Sequence, residues 1–161
     1  MAGERKYPFL IMNYELIIIW SIGRCMMFGG FGCDPIPGLA QLKPETTYLL
    51  VLNGPKANES FSLNRLRSLL GRNHPPHFTV DIDLSTYELS FPATISRHHA
   101  VIQWANSKLQ IIDLKSRNGT FVNEQQLTPQ SANQPSASVV LTVGSKIRLG
   151  DLEFAIVVAG F

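Results

Sequence analysis

From Thr46 onward, the apolar residues of this 161-residue chain recur at every second position or in short solid runs. Residues 108–113 and 146–149 both alternate apolar with polar side chains. Successive side chains on a strand point to opposite faces, so a period of two predicts strands with one buried face. No segment after Thr46 keeps a helical period over about 11 residues or more, which argues against a helical bundle.

Turn-forming residues separate these runs. Asn106-Ser107, Asn118-Gly119 and Gly150-Asp151 each follow or precede a predicted strand, and such residues favour tight turns. Many short strands at close spacing favour an antiparallel sandwich or barrel. Further strands are predicted at 48–52, 100–104 and 154–158.

Two long stretches interrupt the strand pattern. Residues 125–138 are mostly Gln, Ser, Asn, Ala, Thr and Pro around Leu127. They are too polar to bury much surface, so we predict a surface loop there. Residues 74–94 form the second long connection, within which the apolar positions of 80–84 predict one further strand.

The first 45 residues differ from the rest. Only Glu15 and Arg24 are charged between positions 7 and 33, and the uncharged stretch between them has eight residues. A membrane helix needs about 20 apolar residues, and Asn13 and Glu15 interrupt the apolar region that a secretory signal requires. We therefore interpret 1–45 as an apolar N-terminal extension with a Pro/Gly linker. Membrane association through 7–33 is the alternative.

Composition excludes several classes of function. Fourteen basic and 12 acidic residues give a formal net charge of +2, which is too balanced to predict nucleic-acid binding. Cys25 and Cys33 are too few for a disulfide scaffold or a four-cysteine metal site. Neighbouring His98 and His99 point to opposite faces of a strand and make a poor chelate. We expect no metal, no cofactor and a cytoplasmic location.

Polar side chains that suit phosphate recognition stand at the ends of three predicted strands. If the three loops share one pole of a sandwich, they surround a phosphate dianion with guanidinium groups, a hydroxyl and backbone N–H groups. An amide beside them can pair with an extended peptide backbone. The residues are Arg72, Ser96, Arg97, Arg117 and Asn118.

These positions resemble a known family. Gly71-Arg72, Ser96-Arg97-x-His99 and Asn118-Gly119-Thr120-x-Val122-Asn123 resemble, in order and spacing, the signature of forkhead-associated (FHA) domains. Residues 144–150 are similar to a late Gly-x-x-Ile-x-Leu-Gly stretch of that family, and the long segment 72–96 is similar to cyanobacterial members. The resemblance covers 46–158 and implies an all-β antiparallel sandwich of about eleven strands. It also implies binding of phosphothreonine peptides and no enzymatic activity.

The resemblance implies a role for each matched residue. Arg72 matches the arginine that pairs with the phosphate, and Ser96 matches the serine whose hydroxyl and own backbone bind a phosphate oxygen. Arg97 matches a position that touches phosphate or peptide, and Arg117 one that lines the phosphothreonine pocket. Asn118 matches the asparagine that bonds to the peptide main chain. The positions that support the site are matched by Gly71, His99, Gly119, Thr120 and Asn123.

We therefore expect a recognition module for phosphothreonine peptides, which mediates phosphorylation-dependent protein–protein interaction downstream of Ser/Thr kinases. Its partners would be phosphothreonine-containing kinase substrates, and not nucleic acid. The alternative is a phosphate-independent structural adaptor anchored to a membrane or large complex by 7–33.

Three further features bear on this interpretation. A hydrolase triad of Ser96, His99 and Asp113 lacks the nucleophile elbow of such enzymes. Glu124 stands where glycine is common in the family, and Ser145 where aspartate is common. Both departures leave the local turn geometry open.

Overall fold

The computed structural model describes residues 41–129, 131 and 133–159. The predicted extension 1–45 therefore lies almost wholly outside the described residues, and the apolar segment 7–33 lies outside them entirely. Within the described ranges, no helix is long and apolar enough to cross a lipid bilayer.

Eleven strands form two sheets in the described part of the chain, and a single turn of 3₁₀ helix spans Ser85–Tyr87. The prediction of an all-β sandwich is confirmed. The strands are β1 Thr47–Val51, β2 Ser60–Ser62, β3 Arg67–Gly71, β4 Ile82–Asp83, β5 Ala100–Ala105, β6 Lys108–Asp113, β7 Thr120–Val122, β8 Gln125–Gln126, β9 Val139–Val140, β10 Lys146–Leu149 and β11 Leu152–Val158.

The first sheet has the strand order β2-β1-β11-β10-β7-β8, and the second has the order β4-β3-β5-β6-β9. Neighbouring strands are antiparallel except β3 and β4, which pair in parallel with Leu70 opposite Ile82. This pair departs from the antiparallel arrangement that we predicted. Residues 72–81 lead away from the end of β3 and return, so that β4 runs in the same direction as β3.

The core lies between the two inner faces. Leu109 and Ile111 of β6 and Phe154 and Ile156 of β11 are fully buried, while the residues between them are more exposed. The period of two in the sequence is thus the alternation between the core and the solvent face. Each fully buried large side chain contributes about 1.5–3 kcal/mol to the free energy of folding.

The predicted strand 80–84 is shorter in the structure, where only Ile82–Asp83 is a strand. The backbone N–H of Val80 donates to Oδ1 of Asn73 at 2.8 Å instead of joining a sheet. The side chain of Asp81 accepts a bond from the backbone N–H of Leu69 at 2.9 Å. The backbone N–H of Asp81 still donates to the Leu69 carbonyl at 3.0 Å, so side-chain bonds supplement the backbone ladder at this end of β4 and take it over only at Val80.

The prediction that 125–138 is only a surface loop was wrong in part. Gln125–Gln126 forms β8 and pairs with β7, and Leu127 is buried in the core. Ser136 is also buried, and its Oγ accepts a hydrogen bond from the backbone N–H of Asp113 at 2.9 Å. Strand β8 is exposed on both residues, so it lacks the apolar alternation that would have predicted it.

Candidate functional site

Strand β3 ends against the loop that precedes β5. A Cβ atom on Gly71 would lie 2.0 Å from the carbonyl oxygen of Arg97 and 2.9 Å from that of Ser96. The backbone N–H of Arg72 donates to the same Ser96 oxygen at 3.2 Å. Only a residue without a side chain fits this approach, so Gly71 lets two of the three predicted loops touch.

The third loop joins the other two through side chains. Oγ of Ser96 accepts a hydrogen bond from the backbone N–H of Arg117 at 3.0 Å. Nδ2 of Asn118 donates to the carbonyl oxygen of Thr94 at 2.7 Å. The structure therefore brings all three strand-end loops together at Ser96, and the Ser96 hydroxyl proton stays available to a ligand.

His99 lies fully buried beneath these loops. Its Nδ1 accepts a hydrogen bond from the backbone N–H of Ser96 at 3.0 Å, and its Nε2 lies 3.1 Å from the carbonyl oxygen of Gly119. An accepting Nδ1 requires the proton on Nε2, which donates to Gly119. Burial lowers the pKa of His99, and the Gly119 carbonyl and the charges of Asp113 and Glu88 oppose that shift only in part.

This contact revises the role that the resemblance implies for Ser96. The resemblance assigns both the hydroxyl and the backbone of Ser96 to phosphate, whereas the structure engages the Ser96 N–H with His99. The hydroxyl is what remains for a ligand. The imidazole contacts the Ser96 amide and not its hydroxyl, so the arrangement is not that of a nucleophilic serine.

The carboxylate of Asp113 shapes the loop that carries Arg117 and Asn118. It accepts hydrogen bonds from the backbone N–H of Ser116 at 3.0 Å, from Ser116 Oγ at 2.5 Å and from Thr120 Oγ1 at 2.6 Å. Thr120 is fully buried, and its hydroxyl therefore ties the start of β7 to Asp113. Asp113 itself received no supporting role in the sequence analysis, although its three-residue spacing to Ser116 is typical of a capped turn.

Gly119 closes the same loop. Its φ of +82° lies in the left-handed region, and a Cβ there would approach Nε2 of Gln126 to 2.7 Å. The positive φ is what favours glycine here, because the exposed Gln126 side chain can move aside.

Asn123 and Glu124 form the two-residue turn between β7 and β8, with φ values of +48° and +68°. Oδ1 of Asn123 accepts a hydrogen bond from the backbone N–H of Lys146 at 2.9 Å, which ties this hairpin to β10. The turn thus forms with glutamate in place of the glycine common in the family. Ser145 also replaces aspartate without loss of the turn, because its Oγ accepts from the N–H of Thr142 at 2.9 Å.

The Arg72 guanidinium is held at one nitrogen. Its Nε donates to the carbonyl oxygen of Ile95 at 2.6 Å and lies 3.5 Å from Oε1 of Glu88. Glu88 in turn accepts the backbone N–H groups of Thr94 and Ile95 at 2.9 and 2.8 Å. Among the described residues, the terminal nitrogens of Arg72 donate no hydrogen bond, so they are open to a ligand.

Glu88 and Thr94 were missed by the sequence analysis. They lie in a segment without apolar periodicity, and their contacts depend on how residues 88–95 fold back on themselves.

Arg97 and His98 are exposed and face an aromatic ring that the sequence analysis also missed. The rings of Phe78 and His98 meet edge to face, with centroids 5.2 Å apart. The guanidinium carbon of Arg97 lies 5.5 Å from the Phe78 ring centre. A cavity of about 260 Å³ opens here, lined by Phe78, Ser96, Arg97 and His98.

Taken together, the loops present arginine nitrogens, a serine hydroxyl and an asparagine amide on the surface of a rigid sandwich. Charge-assisted donors of this kind suit a phosphate dianion. Within the described ranges, no three His, Cys, Asp or Glu side chains group together in a way that could hold a metal ion.

Comparison with known proteins gives concordant matches. The family model described as FHA domain matches residues 69–150. The chain is 30% identical over 115 residues to the glycogen accumulation regulator GarA of Mycobacterium tuberculosis. This alignment covers 71% of this chain and 59% of that protein. The chain is 31% identical over 125 residues to an oxoglutarate dehydrogenase inhibitor of Corynebacterium jeikeium. That alignment covers 77% of this chain and 74% of the inhibitor. The chain thus spans about 59% of the length of its mycobacterial relatives.

A solved structure has a similar fold. Mycobacterium tuberculosis EmbR, in complex with a low affinity phosphopeptide, superposes with a TM-score of 0.54 at 28% sequence identity. The match covers 72% of this chain and 25% of EmbR.

Proposed function

Because the chain belongs to the FHA domain family, we propose that it is a phosphothreonine-peptide recognition module, which mediates phosphorylation-dependent protein–protein interaction. The meeting of three strand-end loops at Ser96 is the observation that carries this proposal. The match to EmbR, whose structure contains a phosphopeptide, supports it. We place the domain at 46–158, since β1 and β11 pair from Thr47 opposite Val158.

The phosphate would be bound by three groups. The terminal nitrogens of Arg72 form a fork that suits two phosphate oxygens, because the bonds of Nε already fix the guanidinium plane. The hydroxyl of Ser96 donates a third hydrogen bond. The exposed side chain of Arg117 adds positive charge. It lies close to Ser96, because the backbone N–H of Arg117 donates to the Ser96 hydroxyl.

Two further residues would contact the peptide around the phosphothreonine. Asn118 uses one amide hydrogen on Thr94, and its Oδ1 accepts no hydrogen bond from any described residue. That oxygen is suited to accept a peptide N–H. Arg97 lies on the other side of Ser96 in the chain and supplies a second exposed guanidinium.

The supporting residues would act by holding these groups in place. Gly71 permits the approach of the first two loops, and His99 joins the second to the third. Gly119, Thr120 and Asn123 fix the third loop and the hairpin beyond it. Loop-mounted recognition on a rigid sandwich is the usual placement of a binding site.

The biological setting follows from the chemistry of the ligand. Phosphothreonine is made by protein kinases that phosphorylate threonine, so we propose that the chain acts downstream of a Ser/Thr protein kinase, with a phosphorylated protein as its partner. Its relatives are named a regulator and an inhibitor, which supports a regulatory role and not a catalytic one. The adaptor alternative depended on 7–33, and no described residue adds support for it.

A phosphothreonine peptide library identifies the ligand, and fluorescence polarisation with a selected peptide and its unphosphorylated twin tests the function. The phosphopeptide should bind at least about 100-fold more tightly, since several charge-assisted hydrogen bonds depend on the phosphate. A phosphoserine version of the peptide should bind at least about 10-fold more weakly, because one methyl group in an apolar pocket is worth about 1–3 kcal/mol. Equal binding of the phosphorylated and unphosphorylated twins would contradict the proposal.

A further inference from the structure

The turn between β3 and β4 holds an aromatic side chain next to the site. At its tip, the backbone N–H of His74 donates to the Phe78 carbonyl at 3.1 Å, and that of Phe78 donates to His74 at 3.0 Å. At its base, Nδ2 of Asn73 donates to Asp83 at 3.0 Å, and Oδ1 of Asn73 accepts from Val80 at 2.8 Å. Because tip and base are both hydrogen-bonded, the turn fixes the position of Phe78.

Phe78 does not belong to the core, since 38% of it is exposed. It instead contacts the Ser96–His99 loop, edge to face with His98 and beneath the guanidinium of Arg97. A guanidinium that contacts an aromatic ring is held in place and can still donate hydrogen bonds from its nitrogens. Phe78 therefore positions Arg97 at the rim of the site.

The cavity that these side chains line adjoins the phosphate site. Its volume of about 260 Å³ accommodates one large side chain, and Ser96 belongs to both sites. A peptide bound with its phosphate at Ser96 would therefore place a residue near the phosphothreonine in this cavity.

The lining carries positive charge that is not neutralised. Arg97 forms no ion pair with any described carboxylate, whereas the acidic residues of the 72–95 connection are engaged elsewhere. Asp81 pairs with Arg65, and Glu88 pairs with Arg72. Asp83 binds Ser85 and Asn73, and these hydrogen bonds lower its pKa although burial alone would raise it. An anionic ligand would thus meet a free guanidinium and no opposing carboxylate.

From these contacts we propose that the cavity is a second subsite, which selects an acidic side chain of the phosphopeptide close to its phosphothreonine. Arg97 binds the carboxylate, and the rings of Phe78 and His98 enclose the methylene groups of the side chain. The inference rests on the proposed phosphopeptide function. It assigns to residues 73–80 a role in choosing the partner.

A glutamate scan of the library-selected phosphopeptide tests this subsite. Each position from about four residues before to four after the phosphothreonine is replaced by Glu and, as its uncharged match, by Gln. At one position, or two adjacent ones, Glu should bind the wild-type chain about 5- to 10-fold more tightly than Gln. Phe78→Ala should reduce that ratio below about 2-fold, and Arg97→Gln should abolish it.

Leu66→Ala is the matched control. Leu66 is 75% exposed and directly precedes β3, at the end of that strand away from the site. It should keep the full Glu preference, and circular dichroism should show all three variants folded. Equal binding of Glu and Gln at every position, while the parent phosphopeptide still binds, would overturn the subsite and leave the proposed function standing. A preference that survives in both Phe78→Ala and Arg97→Gln would also overturn it. Failure of the parent phosphopeptide to bind would overturn both proposals.

Discussion

The imidazole Nδ1 of His99 accepts a hydrogen bond from the backbone N–H of Ser96 at 3.0 Å, from a fully buried position. Nε2 of the same ring binds the Gly119 carbonyl at 3.1 Å. One side chain therefore joins the loop before β5 to the loop before β7. The distance between the predicted ligand groups depends on this ring.

His99→Ala should lower the free energy of unfolding by about 2–3 kcal/mol, because the Ser96 N–H and the Gly119 carbonyl lose their buried partner. His98→Ala is the control, since His98 is exposed and loses only its edge-to-face contact with Phe78, so its change should stay below about 1 kcal/mol. Urea denaturation measures both. Equal losses in the two variants would contradict the bracing role of His99.

The lowered pKa of His99 predicts a pH dependence of stability. The folded chain binds a proton at His99 less readily than the unfolded chain does. The neutral ring therefore stabilises the fold in full above the ordinary histidine value of 6.5, and this contribution is lost as the pH falls from there toward the lowered pKa. Urea denaturation at about pH 7.5 and 5.5 should show a larger loss for the wild type than for His99→Gln. Identical losses in both would show that His99 does not titrate as described.

Gly71→Ala should cost about 3 kcal/mol or more, because the new methyl group would lie 2.0 Å from the Arg97 carbonyl oxygen and the backbone must move apart. Thermal unfolding measures the loss. A variant as stable as the wild type would show that the two loops do not approach so closely.

Substitutions at the two neighbouring positions of the β7–β8 turn should change the free energy of unfolding in opposite directions. Glu124→Gly should raise the free energy of unfolding by about 0.5–1 kcal/mol, since a φ of +68° strains a residue with a side chain. Asn123→Gly should lower it by about 0.5–1 kcal/mol, because it removes the hydrogen bond from Lys146. Chemical denaturation of the two variants decides, and a stabilising Asn123→Gly would contradict the role of that hydrogen bond.

The sequence predicts those parts of the fold that depend on local pattern. Strands β6 and β10 have the predicted bounds, because buried apolar residues recur at every second position in both, at Leu109 and Ile111 and at Ile147 and Leu149. The motif residues were also found from sequence, since each stands at the end of a predicted strand. Arg72 follows Gly71, Ser96 and Arg97 precede β5, and Arg117 and Asn118 precede Gly119. Their chemical roles remain predictions.

Other parts depend on contacts between residues far apart in the chain. Phe78 is a lone aromatic in a polar turn, and only the folded chain shows that it meets Arg97 and His98. Glu88 becomes part of the site through backbone groups of Thr94 and Ile95. Strand β8 pairs through its backbone and leaves no pattern in its two exposed glutamines.

The most direct test compares two arginines of one strand region. Arg72 follows β3 at the site and keeps its terminal nitrogens free of described partners, whereas Arg67 begins β3 at the opposite end and is exposed. Isothermal titration with the selected phosphothreonine peptide is carried out on Arg72→Ala, Arg67→Ala and the wild type. We predict a loss of about 100-fold in affinity for Arg72→Ala, down to that of the unphosphorylated twin, and no change for Arg67→Ala. Undiminished preference of Arg72→Ala for the phosphorylated peptide would contradict phosphate recognition at this site.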